Sequence, residues 1–224
     1  MNRQEKVSGS LRYLITYPEE YTEGKKYPVL FFLHGAGSRG EDMTPLRNNP
    51  FYQVLNTVTW EPFITVAPQC RWDTWFDDFG AVVALARGIA AAPFADPERF
   101  YGMGVSMGGY GIWQLGMTAP ELFAGLVPIC GGGMYWNAAR LRTVPVWAFH
   151  GDADPEVAPA ESVKMTEGVT RAGGSARLTL YPGVGHNAWD ATFTDPAVFR
   201  WLFSLRRQGN GCGKTDLAGA DRYG

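Results

Sequence analysis

The stretch Gly104-Val105-Ser106-Met107-Gly108-Gly109 constrains this chain more than any other. It has the form G-x-S-x-G with a further glycine behind it, and it stands between two periodicities. The short apolar run Phe100-Tyr101-Gly102-Met103 before it reads as a buried strand. The segment 110–118 after it reads as a helix that ends before Pro120. A strand that becomes a helix within so few residues needs a sharp, strained corner at Ser106. The flanking glycines suit such a corner, because a Cβ there would collide with the neighbouring strand or helix. A serine so placed stands exposed above the sheet beside a helix N-terminus. The same residues would also serve a glycine-rich turn with no chemistry, so the rest of the chain must decide.

Strand-like and helix-like segments alternate from end to end. Leu11–Tyr17 mixes polar and apolar β-formers and suits a strand on the edge side of a sheet, while 29–33 and 63–67 are continuous apolar runs of strand length. Between them, 46–57 has room for one short helix. Segment 79–91 is helical behind Asp77 or Asp78 as N-cap, and Asp96-Pro97-Glu98-Arg99 reads as a turn into the serine strand. Further strands are expected at 125–130, 144–149 and Ala176–Tyr181, with helices at 161–172 and 197–207. This alternation predicts an α/β fold with a mostly parallel central sheet flanked by helices on both faces. In such sheets chemistry collects at the carboxyl ends of strands. The loop after 29–33, Ser106, the Gly131 loop, Asp154 and His186 all fall just there.

Composition narrows the partners. A chain of 224 residues, 46% of them hydrophobic, can bury one sizeable core, taken here as a single domain over 1–207 with a Gly-rich, disordered tail over 208–224. The net charge of −2 with no basic run gives no footprint for nucleic acid or an anionic membrane. No apolar run of about 18 residues is present to span a bilayer. The first residues lack the apolar core of a signal peptide, and three widely spaced cysteines, Cys70, Cys130 and Cys212, suggest neither a disulfide framework nor a metal site. A cytoplasmic monomer or homodimer acting on a small molecule without a cofactor is the expectation.

A serine hydroxyl needs an adjacent base to attack at neutral pH, and the chain has three histidines. His34 and His150 each precede a glycine at a strand end, a position that more often serves backbone geometry. His186, in Pro182-Gly-Val-Gly-His-Asn-Ala, is the expected base. Asp154 is favoured over Asp152 as the acid that holds the imidazole tautomer, since it lies farther into its loop. Asp152 has the look of a turn former. The order serine, acid, histidine follows the chain. Donors for a developing oxyanion are expected at the N–H of Met107 and, in His34-Gly35-Ala36-Gly37, at the N–H of Ala36. That loop lacks the lysine and serine of a phosphate cradle.

The stretches Leu33-His-Gly-Ala-Gly-Ser-Arg-Gly40, Ala67-Pro-Gln-Cys70, 99–109, Val127-Pro-Ile-Cys-Gly-Gly132, His150-Gly-Asp-Ala-Asp154 and Gly185-His-Asn-Ala-Trp-Asp190 together resemble α/β-hydrolase esterases. The resemblance lies with the phospholipase/carboxylesterase and dienelactone-hydrolase group and with the "predicted peptidase" esterases similar to polyhydroxybutyrate depolymerases and feruloyl esterases. It implies Ser106, Asp154 and His186 as a triad, Ala36 and Met107 as oxyanion donors, and an acyl-enzyme route. Peptidase, thioesterase and noncatalytic binding roles use the same scaffold and stay open. Glu156 departs from the family pattern, which has an apolar residue two places after the acid, and the usual leading strands are not evident.

Of the tryptophans, Trp113, Trp147 and Trp201 fall in predicted elements and suit the core. Trp72, Trp75, Trp136 and Trp189 fall in loops at the catalytic end, where they could bind acyl, phenyl or sugar groups or merely pack. The span 131–143 is about as long as one mean helix of 11–12 residues, too short for a multi-helix cap. An open cleft follows, rimmed by those four tryptophans. Such a cleft leaves a long acyl chain unburied, at about 0.8 kcal/mol per CH₂, and favours acyl groups of roughly two to four carbons.

Overall fold

The computed structural model describes residues 2–207, so the tail at 208–224 and Cys212 lie outside it. Its strands are β1 (Asn2–Ser8), β2 (Leu11–Tyr17), β3 (Tyr27–Leu33), β4 (Ile64–Pro68), β5 (Ala95–Val105), β6 (Gly125–Ile129), β7 (Val146–Gly151) and β8 (Ala176–Tyr181). They form one eight-stranded sheet in the order β1-β2-β4-β3-β5-β6-β7-β8. β2 runs antiparallel to both β1 and β4, and every other pairing is parallel.

The helices are α1 (Thr44–Arg47), α2 (Val54–Thr57), α3 (Phe79–Ala90), α4 (Met107–Thr118), α5 (Ala160–Arg171), α6 (Trp189–Thr194) and α7 (Pro196–Ser204). They cover both faces of the sheet, as the period-two alternation along β3 shows. Val29, Phe31 and Leu33 enter one core with Val82 and Leu85 of α3, Ile112 of α4 and Met165 of α5. Leu30 and Phe32 enter the other with Leu46 of α1, Val54 of α2 and Phe199 of α7. A strand apolar at every position is therefore buried on both sides, and all of β3 is.

Three local expectations change. β1 is a leading strand that the sequence did not declare. Its residues are mostly exposed, so no apolar alternation marks it; Glu5 on β1 instead pairs with Arg12 of β2 and with Arg47. The expected turn at 96–99 is an irregularity inside β5: Tyr27 pairs with Ala95 but Val29 with Phe100, so the extra residues bulge without breaking the strand. The region 46–57 holds two one-turn α-helices separated by a 3₁₀ turn, interrupted at Pro50. The connection between β6 and β7 carries only a 3₁₀ helix, Tyr135–Leu141, and no cap domain stands there.

Candidate active site

Ser106 sits between β5 and α4 with φ 55° and ψ −118°, the first central position of a type II′ turn, where glycine is the usual residue. The conformation persists because the corner is clamped. The Ser106 N–H donates to Ile129 O at 2.8 Å, and the first turn of α4 presses on two strand ends. A Cβ on Gly108 would overlap Leu33 O, one on Gly104 would overlap Gly108 O, and one on Gly109 would lie 2.6 Å from Ile129 O. These three glycines let a helix start directly over β3 and β6.

The three expected triad residues meet. Ser106 Oγ lies 2.8 Å from His186 Nε2, and His186 Nδ1 lies 2.7 Å from Asp154 Oδ2. In the tautomer with its proton on Nδ1, the imidazole accepts from the hydroxyl at Nε2 and donates to the carboxylate from Nδ1. Asp154, its side chain fully buried, accepts hydrogen bonds at both carboxylate oxygens. Oδ1 accepts the N–H groups of Glu156 (2.9 Å) and Val157 (3.0 Å), and Oδ2 also lies 3.2 Å from His150 Nε2. Burial pushes this carboxyl up. The Val157 N–H, the His186 ring and the Glu156 N–H together outweigh that and hold it below its ordinary 3.8. Asp152, the alternative acid, points elsewhere: its Oδ1 accepts the Gly183 N–H at 2.7 Å and ties the β7 loop to the loop that carries His186.

His34 and His150 are fully buried and bonded at both ring nitrogens. His34 Nδ1–H donates to Gly35 O (2.7 Å) while Nε2 accepts from Cys70 N–H (3.0 Å), and burial lowers its pKa to about 4. His150 contacts Ser162 Oγ (2.7 Å) through Nδ1 and Val157 O (2.9 Å) through Nε2, so it supports Asp154 from behind. Sequence reasoning assigned it to backbone geometry and missed that contact; the spacing of four residues to Asp154 was the available signal. Cys130, with φ 48°, donates its thiol hydrogen to His186 O at 3.2 Å. Cys130, His150 and Asp154 have ligand-type atoms within 4.8 Å of one another. Burial pushes the thiol up to about 12, however, and Asp154 Oδ2 is already shared by two imidazoles, so these groups are spoken for.

Ala36 opens a 3₁₀ turn and Met107 opens α4, so neither N–H has an acceptor within its own helix. A Cβ on Gly35 would come within 3.5 Å of Ser106 Cβ, which brings the Ala36 loop against the serine. Around them runs a cleft of about 600 Å³ whose walls include Ala36, Ser38, Glu156, Val157, Trp189 and Phe193.

Only one of the four loop tryptophans expected at the substrate lines that cleft. Trp189 does, with its ring edge-on to His186 at 5.4 Å. Trp75 is a core residue: it is 1% exposed, and its indole N–H donates to His34 O at 3.0 Å. Trp72 is half-buried beside the Arg71 guanidinium and borders a different depression with Arg39 and Asp77. Trp136 is 72% exposed on the 3₁₀ helix after β6 and is not part of the cleft wall. Trp113 is buried as expected, whereas Trp147 and Trp201 pack edge-on at the margin of the second core under Arg177.

A mostly parallel sheet with helices on both faces and a serine at a glycine-clamped strand–helix corner defines an α/β hydrolase. Residues 73–192 match the dienelactone hydrolase family, and the chain belongs to that family. A solved structure of a thermostable esterase is 30% identical with a TM-score of 0.76, covering 92% of this chain and 63% of its own. A ferulic acid esterase, 18% identical over 90% of this chain and 97% of its own, has the same fold with a TM-score of 0.69. The "Probable dipeptidyl-peptidase 5" of Aspergillus terreus is 27% identical over 156 residues, which are 62% of this chain and 20% of that protein. The chain therefore spans about a fifth of this curated relative and under two thirds of the esterase. No helix among the described residues is long and apolar enough to cross a membrane.

Proposed function

We propose that this hydrolase cleaves carboxylic esters through Ser106, His186 and Asp154 by way of an acyl-enzyme. The observation that carries the reading is the unbroken chain from Ser106 Oγ to His186 Nε2 (2.8 Å) and from His186 Nδ1 to Asp154 Oδ2 (2.7 Å). As Ser106 attacks the ester carbonyl, His186 takes its proton, and Asp154 stabilises the imidazolium that forms. The N–H groups of Ala36 and Met107 receive the oxyanion, each worth about 2.7–4 kcal/mol when its charge develops in a site of this kind. His186 then hands the proton to the departing alcohol and activates the water that releases the acyl group.

The connection between β6 and β7 holds only a 3₁₀ helix and no cap, which favours small acyl groups or a compact aromatic ester against Trp189. The likeness to a dipeptidyl-peptidase favours amide cleavage as the second reading. A panel of p-nitrophenyl esters from acetate to palmitate, together with a dipeptidyl p-nitroanilide, tests both. The esterase reading expects kcat/KM to peak at roughly two to four acyl carbons, no jump at the critical micelle concentration, and loss of turnover in Ser106→Ala. Turnover of esters by Ser106→Ala refutes the mechanism. A kcat/KM that climbs steadily to long chains refutes the specificity. Faster cleavage of the anilide than of the esters transfers the reading to a peptidase.

A further inference from the structure

Glu156 stands two positions after Asp154, and the fold places it in the lining of the cleft that holds Ser106 and His186. Its N–H donates to Asp154 Oδ1 at 2.9 Å, so the acid itself fixes the Glu156 backbone. The side chain is exposed and belongs to the wall of the cleft that holds Ser106 and His186. No ion pair or side-chain hydrogen bond of Glu156 is found among the described residues, and none of the described residues of that wall is Lys or Arg. Arg39 follows the Ala36 loop, and bonds from its guanidinium to the carbonyls of Ala36 and Asp73 hold it at the neighbouring depression rather than in this lining. Within its own lining the cleft therefore carries one carboxylate, that of Glu156, with no Lys or Arg, beside Trp189 and Phe193. That arrangement strengthens the local field and raises the concentration of cations over anions.

We infer that this cleft selects esters by charge, accepting uncharged or cationic ones and disfavouring those that carry a carboxylate, with Glu156 setting the sign. The inference rests on the reading of Ser106 as the nucleophile of an esterase. Trp189 fits a cationic substituent as well, because an aromatic face attracts an ammonium group that a carboxylate also neutralises.

Three aryl acetates test it: phenyl acetate, 4-acetoxybenzoate and (4-acetoxyphenyl)trimethylammonium, each normalised to its buffer hydrolysis. The readout is the ratio of kcat/KM for the cation to that for the anion. A carboxylate within several ångströms at partial solvent exposure gives a ratio of about ten. Glu156→Gln should lower it at least threefold, Glu156→Lys should bring it below one, and 1 M salt should shrink it in the wild type. The affinities of the same compounds for Ser106→Ala, followed by tryptophan fluorescence, should keep the order of the ratio without any turnover. A ratio near one in the wild type, or one that Glu156→Lys leaves in place, overturns the inference. No turnover together with ordered affinities removes the esterase reading and leaves the charge selection standing. Turnover of all three esters at equal rates does the reverse.

Discussion

Replacing Ser106 by glycine and by alanine isolates the strain at the corner. At φ 55° and ψ −118° a residue with a Cβ costs about 1–3 kcal/mol relative to a relaxed position. Both variants lose the hydrogen bond to His186 equally, and neither loses a helix cap, since the Ser106 side chain makes no capping bond to α4. They differ in that alanine keeps the strained Cβ while glycine releases it. Against that release stands the extra freedom glycine has in the unfolded chain, about 0.5–1 kcal/mol. The difference leaves Ser106→Gly more stable than Ser106→Ala by roughly 1 kcal/mol, within a range of about 0–2.5. At an ordinary helix position the same comparison has the opposite sign, so the sign alone decides. Urea titrations followed by far-UV circular dichroism measure it, and thermal melts should move in parallel by about 2–4 °C per kcal/mol for a chain of this size. A glycine variant less stable than the alanine one by 0.5 kcal/mol or more would show that the corner stores no strain.

Two other expectations follow from groups near the site. Asp154→Asn should lower kcat by about four orders of magnitude, because the amide cannot hold the productive tautomer of His186, whereas Asp152→Asn should act on stability alone by about 1 kcal/mol through the weakened bond to Gly183; steady-state kinetics with both variants would expose a reversed assignment. His34 titrates at about 4 in the fold against 6.5 when unfolded, so the contribution of its neutral ring is whole above pH 6.5 and is lost as the pH falls toward 4. That loss amounts to about 3 kcal/mol. Asp154, held below 3.8, keeps its own contribution until the pH drops further. Urea stability between pH 7 and 4.5 should therefore fall less in His34→Gln than in the wild type, and an NMR titration of the His34 ring that centres near 6.5 would refute the account.

How much of this was legible depends on what each residue answers to. The glycines around Ser106 answer to local backbone geometry, and three of them are now explained by atoms a Cβ would strike. The apolar runs of β3 and β4 answer to burial on both faces, so their type followed from composition alone. β1 escaped because an exposed edge strand pairs by backbone and charge, neither of which leaves a hydrophobic period. Trp75 and Trp189 occupy equally plausible loops in the chain, and only the tertiary position of His34 O tells the buried one from the one in the cleft. The support of Asp154 by His150 and by two backbone N–H groups lies in a loop conformation that residue type does not announce.

The members of the site come from the far ends of three different strands, with Ser106 and His186 separated by 80 positions in the chain and Asp154 and His186 by 32. No subset of the polypeptide that folds early by local contacts can hold them together, and closing such loops carries an entropic cost that grows with their length. His186 is also tethered through Cys130 and through the Asp152–Gly183 link, which need β6, β7 and β8 in register. If His186 is the base proposed above, a chain in which β8 is not yet paired holds Ser106 without it. On the proposed mechanism the topology acts as an interlock: Ser106 meets its base only when β8, whose following loop carries His186, is paired with β7.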